Sequence, residues 1–367
     1  MSADKPLVLM MAGGTGGHVY PALAVATELL TRGCKVEWVG TSRGLEARVV
    51  PGAGIELHCL AVRGVRGKNP LWKIWALLSL LIASLQALWL VFRLSPQCVV
   101  GLGGYVAGPA GIAAWVLRKP LVIHEQNAVA GTSNRMLVPF ANKVLAGFSG
   151  AFAHDIEVST VGNPVRRDLV EKGSKSSYSY TGQRPLRLLV LGGSLGAQPI
   201  NEMLPTVISA LFEEESADSI ELRHQCGEAH AMTVQQAYDD MRCEGVQVSA
   251  FIENMAEAYE WSDLVLCRAG ALTISELAIM GRPSILVPLP HAIDDHQTYN
   301  ARSLSDSGAA ILMRQDQMTR EVLLETLRDF IAHPERLVSM AAAATAAAIP
   351  EATGLVCDSC EELIYGH

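Results

Sequence analysis

The sequence predicts an α/β protein built from two successive doubly wound domains, and three observations carry that expectation. Short apolar runs of strand length alternate with helix-length segments along almost all of the 367 residues. The alternation stops once, over the Ser/Tyr/Gly/Lys-rich stretch from Glu171 to Pro185. Each of the two arrays opens with a strand that runs straight into glycines. Alternating β and α units specify parallel sheets covered by helices on both faces, and a chain of this length is expected to hold two or three domains.

In the first array the strands are expected at Leu7–Ala12, Lys35–Gly40, Ile55–Leu60, Gln97–Leu102, Pro120–His124, Asn142–Ala146 and Val158–Val161, with the first helix at Pro21–Leu30. From Ile74 to Phe92 no residue is charged, which is long enough for a membrane span. However, Ser79, Gln86 and Arg93 recur every seventh residue and so share one helix face. The segment also lies between two strands of one parallel sheet, which need a crossover. It reads as a crossover helix, apolar enough for one face to touch lipid. Glu171–Pro185 has no periodicity and reads as a linker or exposed loop. The second array places strands at Leu186–Leu191, Ile220–Gln225, Gly245–Ala250, Asp263–Cys267, Ser284–Pro288 and Ala309–Met313. The alanine-rich Met340–Ala348 reads as a helix ended by Pro350.

Half the residues are hydrophobic and 18% are charged, which excludes global disorder. The net charge of −8 argues against a nucleic-acid partner. That charge is uneven: residues 1–165 hold 14 basic and 8 acidic side chains, the remainder 15 and 29. Eight cysteines, several inside apolar runs, read as free thiols of a reducing compartment. Cys357-x-x-Cys360 has no second pair at metal-ligand spacing, so no metal site is expected there. The N-terminus passes from Asp4 and Lys5 into a strand and does not read as a signal peptide.

Three glycine turns carry the chemistry. They are Gly13-Gly14-Thr15-Gly16-Gly17-His18, Gly101–Pro109 and Gly192-Gly193-Ser194-Leu195-Gly196-Ala197. Glycines let a backbone approach a phosphate, and the next helix offers free N–H groups at its positive end. A dinucleotide would also need a carboxylate at the end of the second strand, which instead reads Val39-Gly40-Thr41-Ser42-Arg43. No turn carries the Gly-Lys-Ser/Thr of a P-loop. Polar groups follow other strands: His124-Glu125-Gln126-Asn127, Arg268 to Glu276, and His291 with Asp294, Asp295, His296 and Gln297. Ligands of α/β sheets sit at the carboxyl ends of strands. Asp294, Asp295 and His296 resemble a metal group only weakly, because adjacent carboxylates rarely converge on one ion.

Gly13–Ala24, Gly103–Pro109, His124–Asn127, Gly162–Arg166, Gly192–Ala197 and Cys267–Glu276 together resemble, in order and over most of the chain, the MurG family of bacterial N-acetylglucosaminyltransferases. That family converts lipid I into lipid II in peptidoglycan synthesis. The linker, Ser216–Asp218 and the tail after Ala341 match weakly, and Ser194-Leu195 stands where the family more often has Ser-Gln. The resemblance implies a GT-B fold: two Rossmann-like domains facing across a cleft. The expected boundaries are 1–163 for an acceptor- and membrane-binding domain, 164–340 for a UDP-sugar domain, and 341–367 for a C-terminal helix packed back on the first.

It further implies UDP-N-acetylglucosamine as donor, lipid I as acceptor, and inversion at the anomeric carbon. No cofactor or metal is implied, and the Asp-x-Asp of metal-dependent glycosyltransferases is absent from the sequence. Family donor contacts carry over onto Ser194 for the diphosphate, the Ile252 backbone for uracil and Glu276 for the ribose hydroxyls. Ala271, Leu272 and Thr273 would meet the phosphates, Asn127 and Gln297 the sugar, with Ile274 and Ser275 also in the donor set. Thr15, Gly16, Gly17 and Arg166 complete the donor set, with Arg166 offsetting the departing UDP. Gly14, Gly103, Gly104 and Tyr105 would hold the acceptor. His18, at a helix start that favours its neutral form, is the expected general base, with Glu125 its rival. The expected location is the cytoplasmic face of the inner membrane, as a peripheral protein on anionic lipid alongside other cell-wall synthesis proteins. An acceptor other than lipid I, a UDP-sugar epimerase and a membrane scaffold are the competing readings.

Overall fold

The computed structural model describes residues 5–62, 70–193, 196–214, 219–243, 245–290 and 292–366. Two compact units form, one from Met1–Arg166 with Pro350–His367, the other from Arg167–Ile349.

Unit 1 holds a parallel sheet of β1 (Leu7–Ala12), β2 (Lys35–Gly40), β3 (Glu56–Cys59), β4 (Cys98–Gly103), β5 (Leu121–Glu125), β6 (Lys143–Ala146) and β7 (Ser159–Thr160). Its strand order is β3-β2-β1-β4-β5-β6-β7. The helices are α1 (Gly16–Thr31), α2 (Glu46–Gly52), α3 (Pro70–Leu94), α4 (Ala107–Val116) and α5 (Thr132–Leu137). Strand β1 is buried on both faces. Val8 and Met10 join one core cluster, Leu9 and Met11 the other. The order reverses between β1 and β4, so the connections leaving these strands diverge and open a crevice at their carboxyl ends. The first two glycine turns occupy that point.

Helix α1 starts earlier than the sequence suggests. It begins at Gly16 rather than Pro21, because the Thr15 carbonyl already accepts the N–H groups of His18 and Val19, each at 3.1 Å. Pro21 therefore sits inside the helix. Helix α3 is the crossover between β3 and β4. Ser79 and Gln86 act as a pair: the Ser79 hydroxyl donates to the Ala61 carbonyl at 2.7 Å, and Gln86 Oε1 accepts from the Ala61 N–H at 2.9 Å. No helix among the described residues is long and apolar enough to cross a membrane.

Unit 2 repeats the plan with β8 (Leu186–Leu191), β9 (Ile220–Gln225), β10 (Val246–Ser249), β11 (Leu264–Cys267), β12 (Ser284–Leu286) and β13 (Ala310–Leu312), ordered β10-β9-β8-β11-β12-β13. Its helices are α6 (Arg167–Gly173), α7 (Gln198–Glu214), α8 (Ala231–Asp240), α9 (Met255–Trp261), α10 (Ala271–Ile279), α11 (His296–Ser305), α12 (Arg320–Ala332) and α13 (Pro334–Ala346). The stretch read as a linker or exposed loop is anchored instead. Tyr180 is buried, the Tyr178 hydroxyl donates to the Asp263 carbonyl at 3.0 Å, and Arg184 grips the buried Asp263 carboxylate at 2.5 and 2.8 Å. Two tyrosines in a serine-rich stretch supply apolar area enough to hold it down.

The last helix, α14 (Ala352–Tyr365), belongs to unit 1, whereas α13 belongs to unit 2. Arg32 bonds Asp358 at 2.6 Å and Glu361 at 2.8 Å, and Lys143 pairs with Glu362. Cys357 and Cys360 are buried against α1 and β4, and burial pushes the Cys357 thiol up to about 12. They act as core side chains.

Candidate active site

In unit 1 the turn after β1 and the turn after β4 pack backbone against backbone. A Cβ on Gly104 would stand 2.3 Å from the Gly13 carbonyl oxygen, and one on Gly103 would stand 3.1 Å from the His18 ring. Both residues also have positive φ, +100° at Gly103 and +88° at Gly104. Only glycine permits that approach and that backbone together. Gly14, Thr15, Gly17 and Tyr105 are exposed around the junction, while Gly16 and His18 are half-buried. Thr15 begins α1 without a side-chain cap, so the helix's leading N–H groups keep their positive end uncovered by side chains.

Sequence reading missed the group behind this turn. Glu46 is fully buried, and its carboxylate accepts from the Gly14 N–H at 3.0 Å, the Thr41 N–H at 2.9 Å and the Thr41 hydroxyl at 2.7 Å. Gly13, Gly40 and Gly44 leave its side chain room. The carboxylate sought at the end of β2 thus lies a few residues later, turned onto the protein's own glycine turn.

A second polar system follows β5. His18 Nδ1 is 2.9 Å from Gln126 Oε1, and Gln126 Nε2 is 3.1 Å from His124 Nδ1. His124 Nε2 lies 2.9 Å from the Gly162 carbonyl oxygen, and Asn163 Nδ2 donates to the Gln126 carbonyl at 3.0 Å. His124, Gln126 and Asn163 are all buried. Burial holds the His124 imidazole below its ordinary range, so it is neutral. Glu125, also buried, accepts four donors. Oε1 takes Asn127 N at 2.9 Å and Asn127 Nδ2 at 3.1 Å; Oε2 takes Gly131 N and Asn134 Nδ2, both at 2.9 Å. Arg166 is half-buried at the end of this unit.

In unit 2 the third glycine turn is held by another residue the sequence reading missed. Gln225, at the end of β9, accepts from Gly193 N at 3.0 Å and donates to Gly193 O at 3.1 Å and Ala250 O at 2.9 Å. Ser194 lies outside the described residues. Helix α10 follows β11 with Gly270 as its N-cap and no capping side chain. Ala271, Leu272 and Thr273 therefore lead the helix with their amides, while the Ala271 and Ile274 side chains are buried. The Ser275 hydroxyl bonds back to the Ala271 carbonyl at 3.2 Å. Glu276 lies in the second turn rather than at the helix start, which removes a capping role. It is buried, and its Oε2 accepts from the Tyr259 hydroxyl at 2.9 Å. Ile252, after β10, is half-buried, and Gln297, on α11, accepts from Leu289 N at 3.0 Å. Asp295 accepts from the Thr298 hydroxyl at 2.7 Å at the start of α11.

Among the described residues one trio, Glu37, Glu56 and His58, brings three metal-ligand atoms together. Lys35 and His58 already engage Glu37, at 2.6 and 2.7 Å, on the edge pair β2–β3. The trio lies apart from the glycine turns.

Two family models match the chain: the glycosyltransferase family 28 N-terminal domain over residues 8–146 and its C-terminal domain over residues 187–354. A protein of Pseudomonas entomophila, named UDP-N-acetylglucosamine--N-acetylmuramyl-(pentapeptide) pyrophosphoryl-undecaprenol N-acetylglucosamine transferase, is 50% identical over 366 residues, covering 100% of both chains. The crystal structure of Acinetobacter baumannii MurG superposes with a TM-score of 0.80 at 39% identity, covering 97% of this chain and 99% of that one. A putative UDP-N-acetylglucosamine 2-epimerase from Listeria monocytogenes gives 0.68 at 13% identity, covering 99% and 98%. The last likeness is one of fold alone, so the fold does not select between epimerisation and transfer.

Proposed function

The chain belongs to glycosyltransferase family 28, and from that premise we propose that it transfers N-acetylglucosamine from UDP-N-acetylglucosamine to lipid I, forming lipid II for peptidoglycan synthesis. The observation that carries the chemistry is His18, a half-buried imidazole at the junction of two glycine turns with a buried polar network behind it. A core histidine would have apolar neighbours there. The direct experiment is incubation with UDP-N-acetylglucosamine and a lipid I analogue, following UDP release and a disaccharide product. UDP release without a disaccharide would overturn the reading.

In the inverting step the C4 hydroxyl oxygen of the muramyl residue attacks the anomeric carbon. The bond from that carbon to UDP breaks, and the hydroxyl proton passes to His18. Glu125 is the weaker candidate, because four hydrogen bonds already occupy its oxygens. Gly14, Gly103, Gly104 and Tyr105 hold the acceptor, and Thr15, Gly16, Gly17 and Asn127 complete the sugar and phosphate contacts. Arg166, always charged, offsets the negative charge that develops on UDP. The uncapped start of α10 favours the donor diphosphate, with Ser194 beside it. Ile252 and Gln297 contact the uracil and the sugar.

Glu276 holds the ribose hydroxyls. Glu276→Ala is expected to weaken UDP and UDP-N-acetylglucosamine alike, by about 1–3 kcal/mol for a lost charged hydrogen bond. Titration calorimetry checks this. A lower melting temperature with undiminished UDP affinity would make Glu276 only the partner of Tyr259.

Docking on an anionic membrane is supported by an apolar face of unit 1. Leu81, Leu85, Trp89 and Phe92 of α3 are exposed at helical spacing, and Trp115 on α4 and Met136 on α5 are exposed as well. Arg93 lies over the Trp89 ring at 4.8 Å. Arg118 and Lys119 add positive charge. Lys68 lies outside the described residues, as do the Trp72, Lys73 and Trp75 side chains. Such a combination suits the interface of a negatively charged leaflet and supports the reading of a peripheral protein on the cytoplasmic face of the inner membrane. Sedimentation with liposomes is expected to require anionic lipid and to fall at high salt. Binding that survives high salt and carbonate washing would favour insertion instead.

A further inference from the structure

Gln126, His124 and the Gly162–Asn163 turn have no part in the chemistry described so far, yet they form one buried chain ending on His18. We infer that Gln126 and His124 are positioning residues that keep the neutral His18 proton on Nδ1, leaving Nε2 bare to receive the proton of the acceptor hydroxyl. The inference rests on the reading of His18 as the base.

Two backbone carbonyls determine every proton in the chain. The Gly162 oxygen can only accept, so His124 Nε2, 2.9 Å away, carries hydrogen. His124 is neutral and fully buried, so its Nδ1 is a lone pair. Gln126 Nε2 stands 3.1 Å from that lone pair and 3.1 Å from the His124 carbonyl oxygen. Both neighbours accept, so this end of the amide must be NH2; a flipped amide would set its oxygen against two acceptors. The amide oxygen therefore points the other way, 2.9 Å from His18 Nδ1. An amide oxygen cannot donate, so His18 Nδ1 must.

Free histidine prefers the opposite tautomer, with hydrogen on Nε2. Without Gln126 that default would place a proton on the atom that has to take one. The chain is also held from the backbone side. Asn163 Nδ2 donates to the Gln126 carbonyl at 3.0 Å, and Gly162 adopts φ +82° in the turn that presents its oxygen to His124. Gln126 is 1% exposed, so its amide is fixed within the protein rather than turned to solvent.

The test is nitrogen NMR of the full chain labelled at histidine, recorded in alkaline buffer where imidazoles are neutral. His18 is assigned by its loss in His18→Ala. His18 is expected as Nδ1–H and His124 as Nε2–H. In Gln126→Leu, His18 is expected to shift toward Nε2–H. Its kcat should fall about 10- to 100-fold, a large part of what a positioned base contributes, with the UDP-N-acetylglucosamine KM unchanged. Nε2–H on His18 in the parent protein, or an unchanged tautomer in Gln126→Leu, overturns the inference; the parent spectrum decides even if a variant does not fold. Tautomers as inferred, together with a His18→Ala enzyme as fast as the parent, would support the relay and remove only the assignment of His18 as base.

Discussion

His18→Ala is expected to lower kcat by about 10²–10⁴-fold, the usual contribution of a positioned general base. The size follows from what is removed. At neutral pH the acceptor hydroxyl is a poor nucleophile unless its proton leaves as it attacks, and alanine offers no lone pair. The substitution leaves the turn itself in place. His18 N and Val19 N still bond the Thr15 carbonyl, and Glu46 still holds Gly14 N. The donor KM should change little, because Glu276 and the start of α10 belong to the other unit. Steady-state kinetics with separate titrations of donor and acceptor check both statements. A kcat within a few-fold of the parent, or a comparable loss of donor binding, would move the role elsewhere.

The architecture was legible because parallel-sheet strands are buried on both faces and read as unbroken apolar runs. Leu7–Ala12, Leu188–Leu191 and Leu264–Cys267 are of that kind, and glycines mark the ends of the first two. Helix starts were harder to read. Neither α1 nor α10 has a capping side chain, so Gly16 and Ala271 carry no local signal that a helix has begun. The glycine turns were visible, but the groups that hold them were not. Glu46 reaches Gly14 across 32 residues and Gln126 reaches His18 across 108. No spacing rule connects residues that meet only once the sheet has formed. The Glu171–Pro185 stretch was misread for the same reason: Tyr178 and Arg184 find Asp263 some 80 residues further on.

Glu125 presents the second large expectation, and it separates a structural carboxylate from a catalytic one. Each of its oxygens accepts two donors within 2.9–3.1 Å. In Glu125→Gln one oxygen becomes NH2, and either orientation of the amide sets that NH2 against two N–H donors. Two donors then lose the Glu125 oxygen; Asn134 is buried, Asn127 half-buried and Gly131 exposed, so unit 1 is expected to lose about 1–3 kcal/mol of stability, the penalty of one buried group. These donors belong to Asn127, Gly131 and Asn134, so the loss also loosens the loop between β5 and α5. The expected signature is a lower melting temperature, with substantial kcat in the fraction that stays folded at low temperature. A general base would give the reverse. Glu125→Gln would then melt with the parent and lose kcat by orders of magnitude, because glutamine cannot accept the proton. Melting curves and single-temperature kinetics on the same preparation distinguish the two, and an unchanged melting temperature with lost turnover would return the base to Glu125.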